Sequence, residues 1–110
     1  ANVTTLAFGT DIVMDPKLLS EMNREFTHRT KWFSPVEIMR QVTSGNAKML
    51  AMSGKRAPYA GKLGVIEEQA LADILLIRGN PLDDISILTK PNESLALIMK
   101  NGQIVKNTLE

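Results

Sequence analysis

The sequence predicts a small α+β domain, on three observations. Apolar residues at helical spacing, with helix-start signals, fill the first half. Short apolar and β-branched runs bounded by Gly, Pro and Asn fill the second. The length, 110 residues, suits one domain and not two. Charge is balanced, 13 Lys and Arg against 12 Asp and Glu, whereas a phosphate-binding face needs a gathered basic surplus. No nucleic-acid partner is therefore expected. The absence of cysteine excludes disulfides and thiolate metal sites, and the single histidine, His28, excludes a multi-histidine centre built from this chain alone. No apolar run approaches the ~20 residues that a bilayer requires, so no membrane partner is expected. The first ten residues lack the basic start and apolar stretch of a signal peptide, and the expected location is cytoplasmic. The sequence does not begin with Met, and Leu109-Glu110 resembles a cloning scar. A processed chain, or a piece of a longer one, is expected.

The elements follow in order. Val3 to Phe8 reads as a short strand ending at Gly9. Asp15-Pro16 is a helix start, with Asp15 as N-cap and Pro16 in the first turn. Leu18, Leu19, Met22 and Phe26 then form one apolar stripe on a helix ending near 27–30. Ser34-Pro35-Val36-Glu37 is a capping box with proline in the first turn. Ile38, Met39 and Val42 continue a buried face. Gly45 is expected to interrupt this helix and Asn46 to cap the next, which carries Met49 and Leu50 and ends at Gly54. Residues 55–64 read as a loop and Val65-Ile66 as a brief strand. Ala72 to Ile77 is a strand expected to be covered on both faces. A helical turn and an extended stretch over 82–88, a strand at 95–99, a tight Asn101-Gly102 turn and a return strand at 103–106 complete the chain.

Several of these segments together resemble the C-terminal part of the amidohydrolase superfamily, metal-dependent hydrolases built on a (β/α)8 barrel. Phe8-Gly9-Thr10-Asp11 is similar to that family's last barrel strand. Ser34 to Ile38 and Val42 to Leu50 look like the helices that follow it. Gly61 to Ile66, Ala72 to Ile77, Gly79 to Ile85 and Ile98 to Lys106 resemble strands of the family's small β-sandwich. Any one of these is weak, but together, in order and spacing, they are specific, and they cover nearly the whole chain. The branch with imidazolonepropionase-like and prolidase-like enzymes looks most similar. One departure is visible: many members carry Gly before a Lys-Leu-Ala-Asp-type run, where this chain has Glu68-Gln69-Ala70-Leu71-Ala72-Asp73. A changed turn is expected there.

The resemblance divides the chain into residues 1–56, the last barrel strand and its helices, and residues 57–108, a β-sandwich segment, with 109–110 as the scar. It implies that Asp11 is both a metal ligand and a catalytic residue. Such a carboxylate would take a proton from metal-activated water and pass it to the leaving nitrogen. A carboxylate at the mouth of a barrel strand lies where barrel active sites are assembled, and metal-bound water has a pKa near ~7. Read without the resemblance, Asp11 is a turn cap after a strand. The family's histidines come from earlier barrel strands, none of which this chain contains. His28 matches no ligand position and reads as a solvated helix-end residue.

The implied activity is hydrolysis of carbon–nitrogen bonds in amides, cyclic amides or dipeptide-like molecules, with a divalent metal, zinc, in the full-length enzyme and none bound by this chain. The isolated chain is expected to be inactive, to need the remainder of the barrel or a second chain as partner, and to form homo-oligomers through uncovered edges. The alternative is a non-catalytic module that completes another chain. Lys48, Lys55, Arg56 and Lys62 read as solvated, and Met39, Met49 and Met52 as core filler. Asp73 is expected to bond backbone N–H groups, Asp83-Asp84 to start a helical turn, and Trp32 and Phe33 to pack.

Overall fold

The computed structural model describes residues 5–109. Helical segments come first. They are α1 (Pro16–Ser20), a 3₁₀ turn at Met22–Arg24, α2 (Glu25–His28), a second 3₁₀ turn at Arg29–Lys31, α3 (Pro35–Arg40), a π-helical turn at Gln41–Gly45 and α4 (Asn46–Ala51). After a 3₁₀ turn at Gly54–Arg56, an irregular stretch leads to β1 (Ile74–Ile77). A 3₁₀ helix at Ile85–Thr89 and the short α5 (Pro91–Ser94) then precede β2 (Leu95–Lys100) and β3 (Gln103–Asn107). The three strands form one antiparallel sheet in the order β1-β2-β3.

The helix starts form where the local code places them. The Asp15 carboxylate accepts from the backbone N–H groups of Lys17 and Leu18 at 2.9 and 3.2 Å. These are two of the donors that a helix start leaves without a partner. At α3 the capping box forms: the Glu37 carboxylate accepts from the Ser34 N–H at 2.8 Å and from its hydroxyl at 2.6 Å. The Ser34 hydroxyl, first, and its N–H hold the Glu37 carboxyl below the usual carboxylate range.

The second half has its own local locks. Asn101 and Gly102 take φ of 47° and 78°, the left-handed pair that a tight hairpin turn requires. The Asp73 carboxylate accepts from the Asn101 N–H at 2.7 Å and pairs with Lys100 at 3.0 Å, so Asp73 is a backbone anchor as its sequence context predicts. These contacts, the Asn101 N–H foremost, depress its pKa. Asp84 caps the 3₁₀ helix by accepting from the Ser86 N–H at 2.9 Å.

Ile38, Ile85 and Leu88 form the buried centre, and Phe8, Phe26, Phe33, Met39, Ile77, Ile87 and Leu95 pack on it. The core therefore joins the helical half to the sheet half.

Several expectations change. Of the strand expected at 3–8, residues 3 and 4 lie outside the described residues, and residues 5–8 form no strand. A strand exists only through ladder bonds to a neighbour, and no strand lies beside this segment among the described residues. Gly45 does not break the helix; it sits at φ −65°, ψ −51°, and the chain passes through the wide π-turn directly into α4. Asn46 consequently caps nothing. Val65-Ile66 forms no strand. β1 is not covered on both faces: Leu75 and Leu76 are 53% and 48% exposed, because among the described residues the sheet has three strands and no second layer over them. Leu18, Leu19 and Met22 are likewise half open, and Met49, Met52 and Trp32 are exposed rather than packed, since no described element covers their faces. In the turn that lacks the expected glycine, Gln69 itself holds a left-handed φ of 66°.

Candidate active-site segment

Residues 7–9 lie against the helical layer, and side chains of the helices bond their backbone. The Phe8 N–H donates to the Asn46 Oδ1 at 2.7 Å, and the Asn46 Nδ2 donates to the Phe8 carbonyl at 3.0 Å. Arg29 donates from Nη1 to the Ala7 carbonyl at 3.2 Å and from Nη2 to the Gly9 carbonyl at 3.5 Å. Its guanidinium is 4.6 Å from the centre of the Phe8 ring, within reach of the ring's negative face. Phe8 also packs on Phe26, with ring centroids 4.7 Å apart. Arg29 is itself fixed from behind. Its Nε pairs with Glu25 at 2.8 Å, and its Nη1 donates to the Oε1 of Gln41 at 2.7 Å. Gln41 is only 6% exposed.

Gly45 permits the close approach. A Cβ there would lie 2.8 Å from the Leu6 carbonyl oxygen and 3.0 Å from that of Arg40, closer than packed backbone tolerates. A glycine followed by an amide thus marks the docking line of this segment on the helix.

Asp11 follows the clamped residues. It is exposed and takes a left-handed φ of 51°, which an Asp tolerates better than most residues. Thr10 and Ile12, on either side of it, line a recess of about 260 Å³ together with Glu21, Glu25 and His28, and Asp11 does not. His28 closes α2 at the surface. Among the described residues no three His, Cys, Asp or Glu side chains come together. Among the described residues, Asp11 therefore has no second or third such side chain gathered around it.

Sequence reasoning singled out Asp11, read Asn46 as a helix cap, and passed over Arg29 and Gln41. One signal was present: an Asn directly after a Gly inside a helical stretch is a poor helix former, and it earns its place here through the Phe8 peptide.

The architecture is a small mixed α/β domain with a three-stranded antiparallel sheet, and solved structures share it. An amidohydrolase matches with a TM-score of 0.79 and 33% identity over 94% of this chain and 23% of its own. A prolidase complexed with N-methylphosphonate-L-proline matches at 0.75 and 28%, over 92% of this chain and 22% of its own. A structure described as an uncharacterized protein matches at 0.75 and 27%, over 92% and 23%. No protein-family model matches, and no curated protein does. The chain is amidohydrolase-like, as its motifs indicate. It spans less than a quarter of the structures it matches, consistent with a C-terminal portion of such a protein.

Proposed function

We propose that this chain is part of a metal-dependent amidohydrolase that cleaves carbon–nitrogen bonds of amides, cyclic amides or dipeptide-like substrates. The observation that carries the reading is the match of nearly the whole chain to an amidohydrolase and to a prolidase holding a proline derivative. In this reading residues 1–56 are the last strand and helices of a (β/α)8 barrel, and residues 57–108 belong to a β-sandwich. Asp11 is the one catalytic carboxylate the chain contributes. The metal, zinc in this reading, takes its other donors from the rest of the barrel, so no chemical step is assigned to it here. Homo-oligomers and a cytoplasmic location complete the proposal.

The test uses the full-length protein against acyl-amino acids, prolyl dipeptides and cyclic amides, with and without a metal chelator. Hydrolysis that the chelator abolishes is expected. Asp11→Asn is expected to lower the rate at least ~100-fold, the scale of a lost acid–base group. An unchanged rate in Asp11→Asn overturns the role of Asp11. Absence of hydrolysis with every amide class overturns the enzyme reading in favour of a non-catalytic module that completes another chain.

A further inference from the structure

We infer that Asn46 and Arg29 are positioning residues for Asp11. They fix the course of residues 7–9 and so the point from which the Asp11 carboxylate projects. The inference rests on the role of Asp11 proposed above.

The geometry is that of a substitute strand. A carboxamide carries one donor and one acceptor side by side, as a peptide unit does. Asn46 uses both on the N–H and carbonyl of one residue, Phe8, at 2.7 and 3.0 Å. Asp and Leu at this position lack one or both of those groups. The planar guanidinium of Arg29 spans the carbonyls on either side of that residue, Ala7 and Gly9, and stacks on the Phe8 ring. A lysine offers one point charge and no fork. Arg29 cannot swing, because Glu25 and the buried Gln41 hold two of its edges. Every clamping side chain comes from the helical layer between residues 25 and 46. Asp11 is thereby referenced to regular structure rather than to its own loop, the condition for holding a reacting group in place. Asn46 makes no capping bond at the start of α4, so helix formation does not account for it.

The experiment measures kcat and KM of full-length Asn46→Ala, Asn46→Asp and Arg29→Lys in the hydrolysis assay. A misplacement of about 1 Å costs up to ~100-fold in rate. Asn46→Ala and Arg29→Lys are expected to lower kcat about 10- to 100-fold, with KM within about two-fold. Asn46→Asp, which keeps the acceptor for the Phe8 N–H, is expected to fall between them and the parent. Asp84→Ala removes a helix cap that makes no hydrogen bond to residues 7–9 and serves as the stability control, with kcat unchanged. In parallel, hydrogen exchange is expected to show the Phe8 amide deprotected in Asn46→Ala and unchanged in Asp84→Ala. The inference is overturned if kcat in the clamp variants stays within about two-fold of the parent, or falls no further than in Asp84→Ala. If Asn46→Ala does not fold, Asn46→Asp and Arg29→Lys decide the matter. Asp11→Asn, run alongside, separates the two levels. A fully active Asp11→Asn sinks the role of Asp11, whereas an inactive Asp11→Asn with unaffected clamp variants sinks the positioning alone.

Discussion

The β2–β3 hairpin and the segment at residues 5–10 have similar strand-forming composition and opposite outcomes. The hairpin carries its partner within reach, two strands joined by a two-residue turn with φ of 47° and 78°, and Asp73 adds a bond to the Asn101 N–H from outside it. Its register follows from residues a few positions apart. The segment at 5–10 has no such neighbour in sequence. Its backbone groups are met by Asn46 and Arg29, 38 and about 20 positions away. Extended chain is therefore specified locally only where the chain also supplies the edge that pairs with it. Elsewhere side chains of another layer take that task, and no apolar alternation announces them.

The largest effect is expected where both regions share a support. Ile38 is fully buried between them. Ile38→Ala removes packing from both and leaves a cavity, a loss of about 2–5 kcal/mol. Chemical denaturation is expected to show one cooperative transition at lower denaturant. Two separate transitions would mean that the halves do not share this core.

A pair of glycine substitutions tells the two regions apart. In Gly45→Ala the new Cβ meets the Leu6 and Arg40 carbonyls. The cost is about 1–3 kcal/mol, and hydrogen exchange is expected to rise at Phe8 while the Asn101 amide stays protected. Gly102→Ala has open space around its Cβ but a φ of 78°. It pays only backbone strain, about 1–2 kcal/mol, and is expected to loosen Asn101 and spare Phe8. The reverse pattern in either variant would break the distinction.

Acid gives the smallest and most selective effect. Hydrogen bonds from the Asn101 N–H and Lys100 lower the Asp73 pKa, and those from Ser86 lower that of Asp84. A depressed carboxylate contributes stability that is present above its unfolded value, about 3.9. That contribution is lost as pH falls through the lower folded value. Lys100, raised first by its bond to Asp73, has the opposite sign: its contribution holds below its unfolded value and fades as pH rises through the folded one. The Asn46 carboxamide that grips the Phe8 peptide carries no titratable group. Amide exchange followed downward in pH is expected to open the Asn101 turn before the Phe8 clamp. Simultaneous opening would show that the clamp depends on the Glu25 carboxylate behind Arg29 more than on the Asn46 amide.

Legibility followed range. The Asp15 cap, the Ser34–Glu37 box and the Asn101-Gly102 turn were readable because their partners lie close in sequence. Asp73 was readable as a backbone anchor from its place beside a strand, although its partner lies 28 positions away. The two-sided burial expected of β1 failed because it depends on a layer that the sheet does not have. Asn46 was misread as a cap because a Gly-Asn pair signals a helix break wherever no distant backbone claims the amide. The motifs leading up to Asp11 were visible, but its surroundings were not.

The sequence by itself determined where helices begin, where the hairpin turns, and that this is an amidohydrolase-like chain, because caps, turns and motif order are properties of neighbouring residues. Only the tertiary structure decided that residues 5–10 would form no strand, that the helix would run through Gly45 as a π-turn, and that Asn46 and Arg29 would grip the Phe8 peptide. Those outcomes depend on which unsatisfied backbone groups meet which polar side chains once the layers pack, and the packing is set by burial around Ile38 rather than by any local pattern.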